Sequence, residues 1–124
     1  MYTVSVESKL SSAHNLRGYR GKCEELHGHN WRVRVSVSSP ELDEMGMVCD
    51  FHDIKKALNA VIEKLDHKYL NDVGHFKTVN PTSENIARYI FDSLRVERPD
   101  LDIAGVTVWE TDNSSASYSD RSGV

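Results

Sequence analysis

Two histidines stand two residues apart, His27 and His29, with a third at His14 and a cysteine, Cys23, four residues before the pair. On a strand, residues two apart leave the same face with α-carbons about 6.5–7 Å from one another. Two imidazoles so placed can close on one ion at Zn–N distances of about 2.0–2.1 Å. Three His ligands leave one coordination position open, the pattern of a catalytic rather than a structural zinc. An isolated His-x-His is more often coincidence than a ligand pair, but His14 shares the parity of an adjacent apolar strand and Cys23 lies close by. Cys23 can be read as an inert small hydrophobe, a fourth ligand, or a thiolate base or nucleophile whose pKa a neighbouring cation lowers.

Three further groups carry chemistry. Asp66-His67 follows a helical segment, and a carboxylate beside an imidazole can orient it, provided the helix ends there so that adjacent residues can meet. Glu110 has the parity of Val106 and Val108 and so ends a strand on its apolar side. A carboxylate there needs a partner, either a salt bridge or a ligand offering two parallel N–H donors. Thr82, Ser83 and Glu84 open a helix after Pro81. Capping explains them, and the same backbone N–H groups can serve a ligand, with Thr82 the candidate contact. Arg17, Arg20 and Lys22 read equally as a cationic rim suited to phosphates or as a solvated loop. His52 and His75 read as surface residues and Cys49 as simply packed.

The elements that must position these groups are legible from periodicity. Residues 2–14 alternate, with Tyr2, Val4, Val6 and Leu10 on one side. Residues 27–37 alternate more cleanly, Trp31, Val33, Val35 and Val37 opposing Arg32, Arg34 and Ser36. Phe51, Ile54, Leu58, Val61, Ile62 and Leu65 recur at spacings of three and four behind a capping Asp50. Ile86, Ile90 and Leu94 form a second such stripe, ended by Pro99. Strands are expected at 103–110 and 115–120, with a Ser-rich tail fraying beyond Asp120. The fold class is α+β: a four-stranded antiparallel sheet with two helices on one face, in the order strand, strand, helix, helix, strand, strand. His14, His27 and His29 point to the helix-covered side if the first two strands form a hairpin without a bulge. Two open sheet edges and a polar far face predict a ring-shaped oligomer.

Composition bounds the rest. A chain of 124 residues fits one domain. Its formal net charge of −4 argues against a nucleic-acid partner. No run approaches the ~20 apolar residues of a membrane span. The opening MYTVSVESK lacks the basic and apolar regions of a signal peptide, so the expected location is the cytoplasm, with both cysteines reduced.

Taken together, Ser12-Ala13-His14, Cys23-Glu-Glu-Leu-His27-Gly-His29, Asp50-Phe51, Leu65-Asp66-His67 with Leu70-Asn71, Pro81-Thr82-Ser83-Glu84-Asn85 and Val108-Trp109-Glu110-Thr111 resemble the 6-pyruvoyltetrahydropterin synthase / 6-carboxytetrahydropterin synthase family. The match runs through nearly the whole chain in order. The resemblance implies the tunnelling fold (T-fold), assembled as a homohexamer of two stacked trimers, and the substrate 7,8-dihydroneopterin triphosphate. It also implies Zn2+ on His14, His27 and His29, with Cys23 moving protons as a thiolate, Asp66 and His67 assisting it, and Glu110 clamping the amino-pyrimidinone edge. The short Cys-x-x-x-His-Gly-His spacing, small size and Leu-Asp-His motif favour the queuosine-pathway branch, which forms 6-carboxy-5,6,7,8-tetrahydropterin with release of acetaldehyde and triphosphate. The alternatives are the animal-type branch, which keeps a 6-pyruvoyl group, and a folate-linked activity giving 6-hydroxymethyldihydropterin, to which Glu24 and Glu25 beside Cys23 point. A non-catalytic zinc- or pterin-binding protein is the reading of another class.

Overall fold

The computed structural model describes residues 1–18 and 25–121. Four strands, β1 (Tyr2–His14), β2 (His27–Ser39), β3 (Ile103–Thr111) and β4 (Ser114–Tyr118), form one antiparallel sheet in the order β1-β2-β3-β4. Two helices, α1 (Phe51–Glu63) and α2 (Ser83–Glu97), lie between β2 and β3 in sequence and cover one sheet face. The expected fold class, element order and parity all hold.

The alternating residues explain why one face is dry. Leu10, Trp31, Val33, Val35, Val106 and Val108 are at most 1% exposed, and they meet Ile54, Leu58, Val61, Ile86, Ile90 and Leu94 from the two helices. Each such side chain withdrawn from water contributes about 1.5–3 kcal/mol. Asp50 caps α1 by accepting from the His52 N–H at 2.8 Å, and Thr82 caps α2 by accepting from the Asn85 N–H at 3.1 Å. The opposite face is polar, as its residue types require. Arg32 and Arg34 stack on Trp109, their guanidinium carbons 4.1 and 4.9 Å from its ring centre, while Glu7 pairs with Arg34 at 2.7 Å.

Two features went unforeseen. The chain between the helices folds into short 3-10 turns at Leu70–Asp72 and Gly74–Lys77, which bury Leu70 and Phe76 in the core. Residues 67–69 then run along the free edge of β1. The His67 N–H donates to Ser11 O at 2.6 Å, and the Ala13 N–H donates to Lys68 O at 3.0 Å. One of the two open edges is thus partly covered beside the histidines. Among the described residues no helix is long and apolar enough to cross a membrane.

Candidate metal centre and active site

The β1–β2 hairpin is in unbroken register from Tyr2↔Ser39 to His14↔His27, with Ser12 opposite His29. Residues directly opposed on antiparallel strands share a face, so all three histidines converge at one end of the helix-covered side. The ring centres are 4.5 Å (His14–His27), 5.2 Å (His14–His29) and 4.7 Å (His27–His29) apart. Trp31 closes the cluster from the core side, 5.0 Å from the His14 ring.

The backbone assigns the tautomers. His14 Nδ1 lies 2.7 Å from Pro81 O, and His27 Nδ1 lies 2.8 Å from Glu25 O. A carbonyl only accepts, so each Nδ1 carries the proton and each Nε2 presents a lone pair. Those two Nε2 atoms are 2.9 Å apart. Burial holds the His14 imidazole below its ordinary pKa; the bond to Pro81 opposes this, and His27 and His29 add to it. With both Nδ1 protons committed to carbonyls, the two Nε2 atoms face each other, an arrangement that a shared cation relieves.

His29 Nε2 completes the case. Glu110 Oε1 approaches it to 2.7 Å but off the direction in which the ring could donate, so this buried nitrogen has no hydrogen-bond partner among the described residues. One ligand atom from each of His14, His27, His29 and Glu110 lies within 4.8 Å of all the others. Three imidazole nitrogens, two of them anchored through their far N–H on carbonyls, form with one carboxylate a donor set that fits a transition metal, zinc included.

A β-bulge aims Glu110. Trp109 pairs with Ser115 and Thr111 with Ser114, which leaves Glu110 as the extra residue without a partner on β4. Its second oxygen, Oε2, accepts from the Ser83 hydroxyl at 3.2 Å, and Ser83 in turn accepts from the Trp31 indole N–H at 3.4 Å. Thr82 uses its hydroxyl to cap α2. Ser83 is therefore the side chain of that helix start which reaches the centre, and its residue type carried no signal beyond capping.

Asp66 and His67 meet because α1 has ended at Glu63 and His67 adopts a left-handed backbone (φ 54). Asp66 Oδ2 is 2.9 Å from His67 Nδ1, and Oδ1 accepts from the Ser11 N–H at 2.8 Å. The His67 side chain is 80% exposed. It lines an open cleft of about 730 Å3 together with His29, Glu110 and the β1–β2 backbone at Ser12 and Gly28.

A family model for 6-pyruvoyl tetrahydropterin synthase matches residues 3–121. The chain belongs to this family. A 6-carboxy-5,6,7,8-tetrahydropterin synthase from Synechocystis sp. is 41% identical over 123 residues, covering 95% of this chain and 93% of the relative. A 6-pyruvoyl tetrahydrobiopterin synthase from Homo sapiens is 41% identical over 113 residues, covering 88% of this chain and 77% of its own. The solved 6-pyruvoyl tetrahydropterin synthase of Caenorhabditis elegans superposes with a TM-score of 0.86 at 32% identity, over 95% of this chain and 94% of that one. The chain is therefore an enzyme of the tetrahydropterin synthase family. Its identity to these two relatives, named for different products, is 41% in both cases.

Among family-type residues, Cys23 lies outside the described residues, as do Arg20, Lys22 and Glu24. Arg17, although exposed, is tied to the protein: its guanidinium donates to Asn71 O at 3.3 Å and to Phe76 O. Asn71, 5% exposed, accepts from the Asn15 N–H at 3.0 Å and donates to Asn15 O at 2.9 Å, fixing the chain directly after His14. His52 and His75 are exposed and Cys49 is half-buried against the core, as their residue contexts predict.

Asp66 carries a pH prediction. Burial raises its carboxyl, but the Ser11 N–H and His67 outweigh this and hold it below the usual Asp range. A depressed carboxylate contributes stability above its unfolded pKa, lost as pH falls through the folded one. The stability advantage over Asp66→Asn is therefore expected in full near pH 5, and it should begin to fall only below about pH 4, shrinking further as the folded carboxyl is protonated. Thermal melts of both proteins across that range test it; a gap that widens in acid refutes the assignment.

Proposed function

We propose that this protein is a zinc-dependent lyase converting 7,8-dihydroneopterin triphosphate to 6-carboxy-5,6,7,8-tetrahydropterin, with release of acetaldehyde and triphosphate, in queuosine and 7-deazapurine biosynthesis. The observation that carries the reading is the group of three imidazoles, two with lone pairs set by backbone carbonyls, beside a cleft shared with Glu110 and His67. His14, His27 and His29 hold the metal. Bound there, zinc supplies Lewis acidity toward the hydroxyls of the substrate side chain.

The other roles fall to the chain itself. Cys23, as thiolate, takes and returns protons on the side-chain carbons. Asp66 orients His67, and His67 relays the proton. Glu110 accepts two parallel N–H bonds from the amino-pyrimidinone edge, and the α2 start at Thr82 offers a further contact. The exposure of His67 and the β1 and β4 edges support a homohexamer of two stacked trimers in which neighbouring subunits complete each site. We place it in the cytoplasm, without a nucleic-acid or membrane partner.

The Cys-x-x-x-His-Gly-His spacing favours the 6-carboxy product. The equal identity to a human 6-pyruvoyl tetrahydrobiopterin synthase keeps 6-pyruvoyltetrahydropterin as the second reading. Zinc-loaded protein incubated with dihydroneopterin triphosphate, with products identified by mass spectrometry, tests both. Acetaldehyde with a 6-carboxy pterin is expected; a 6-pyruvoyl product selects the second reading. A 6-hydroxymethyl product selects the folate-linked one, and no consumption of substrate sinks the enzyme assignment.

A further inference from the structure

Glu110 faces two demands that one carboxylate cannot meet together. Its Oε1 sits 2.7 Å from His29 Nε2 without hydrogen-bond alignment, and it belongs to a four-atom group spanning at most 4.8 Å with the three imidazoles. That is where a fourth ligand would close a tetrahedral site. A clamp on the amino-pyrimidinone edge must reach elsewhere, because the two fused rings of a pterin stand between that edge and the side chain that reacts at the metal.

We infer that Glu110 is an exchangeable fourth ligand, closing the metal site when substrate is absent and leaving it to grip the pterin when substrate enters. The idea rests on the pterin reading above for its second half only. Two features suit Glu110 to exchange. As the bulged residue of β3 it is free of the β4 ladder, and its side chain is 34% exposed rather than locked in the core. In the closed arrangement Oε2 is held by the Ser83 hydroxyl, itself bonded to the indole of Trp31, so the carboxylate has a defined resting position. The open coordination position is then created by substrate binding, and metal and pterin compete for one side chain. Linkage makes the competition reciprocal: each weakens the other by the same factor.

The test uses the full-length protein loaded with Co2+, whose visible absorption reports coordination. Glu110→Gln should alter the spectrum and weaken Co2+ binding about ten- to a hundredfold in competition with a chelator. Glu110→Asp, which keeps the charge and shortens the reach, should fall between. Saturating 2-amino-4-oxopteridine, a pterin without a side chain whose binding is followed by its own fluorescence, should move the wild-type spectrum toward that of Glu110→Gln. It should also bind metal-free wild type more tightly than metal-loaded. Identical spectra and affinities for wild type and Glu110→Gln would overturn the ligation. A wild-type spectrum unmoved by bound pterin would overturn the exchange while leaving the ligation. Failure of the pterin to bind metal-free or metal-loaded protein would instead overturn the substrate reading, and the exchange with it, whatever the Glu110→Gln comparison shows.

Discussion

His27→Ala is expected to empty the metal site while leaving the fold intact. His27 is half-buried at the rim of the cluster, so its loss opens little core. Its removal leaves His14 and His29 as the imidazoles of the cluster and ends the close approach of two Nε2 atoms at 2.9 Å. A ligand bound at about 100 times its Kd stabilises the native state by about 2.7 kcal/mol. For a chain of this length that corresponds to a rise in Tm of about 10 °C. Wild type should show this rise with zinc and lose it with a chelator, whereas His27→Ala should melt at one temperature in both. Metal analysis after dialysis gives the direct readout, and an unchanged zinc content in the variant refutes the three-histidine site. His14→Ala would be a poorer choice. His14 is 2% exposed and donates to Pro81 O, so its removal adds a cavity and an unpaired carbonyl to the loss of a ligand.

Cys23→Ala should reduce turnover about 10²–10⁴-fold, the range for removal of a positioned acid–base group. Zinc content should stay at the wild-type level, because the three histidines and Glu110 already provide four donors. This pairing of outcomes separates the proton-transfer role from ligation: loss of the metal along with activity would make Cys23 a ligand. The pH profile sharpens the distinction. Thiolate chemistry loses activity as the thiol is protonated on the acid side, and Cys23→Ser should abolish that limb as well as the rate.

The periodicities of the chain carried most of the fold. Strand alternation placed Val33, Val35, Val106 and Val108 on one face, and three-and-four spacing placed Leu58 and Ile90 against them; all are buried. The segment between the helices escaped because its apolar residues, Leu70, Val73 and Phe76, repeat at three over only seven residues, too short a run to read as an element. Their burial follows from two 3-10 turns, each of only three or four residues, too brief to extend the pattern.

For the site, residue types and a period of two were enough to put His14, His27 and His29 on the same side of a hairpin. They could not set the tautomers. Those depend on Pro81 O, 67 residues beyond His14, and on Glu25 O at the hairpin's end. Nor could parity foretell that a bulge at Glu110 and the Ser83 hydroxyl would bring a fourth donor beside His29. The division has a physical cause. Which face a residue takes is decided by its nearest chain neighbours through the geometry of the strand, so it is written locally. The direction of a lone pair or a carboxylate is decided by whatever atom the closed fold brings within about 3 Å of it, and only the tertiary structure makes that choice.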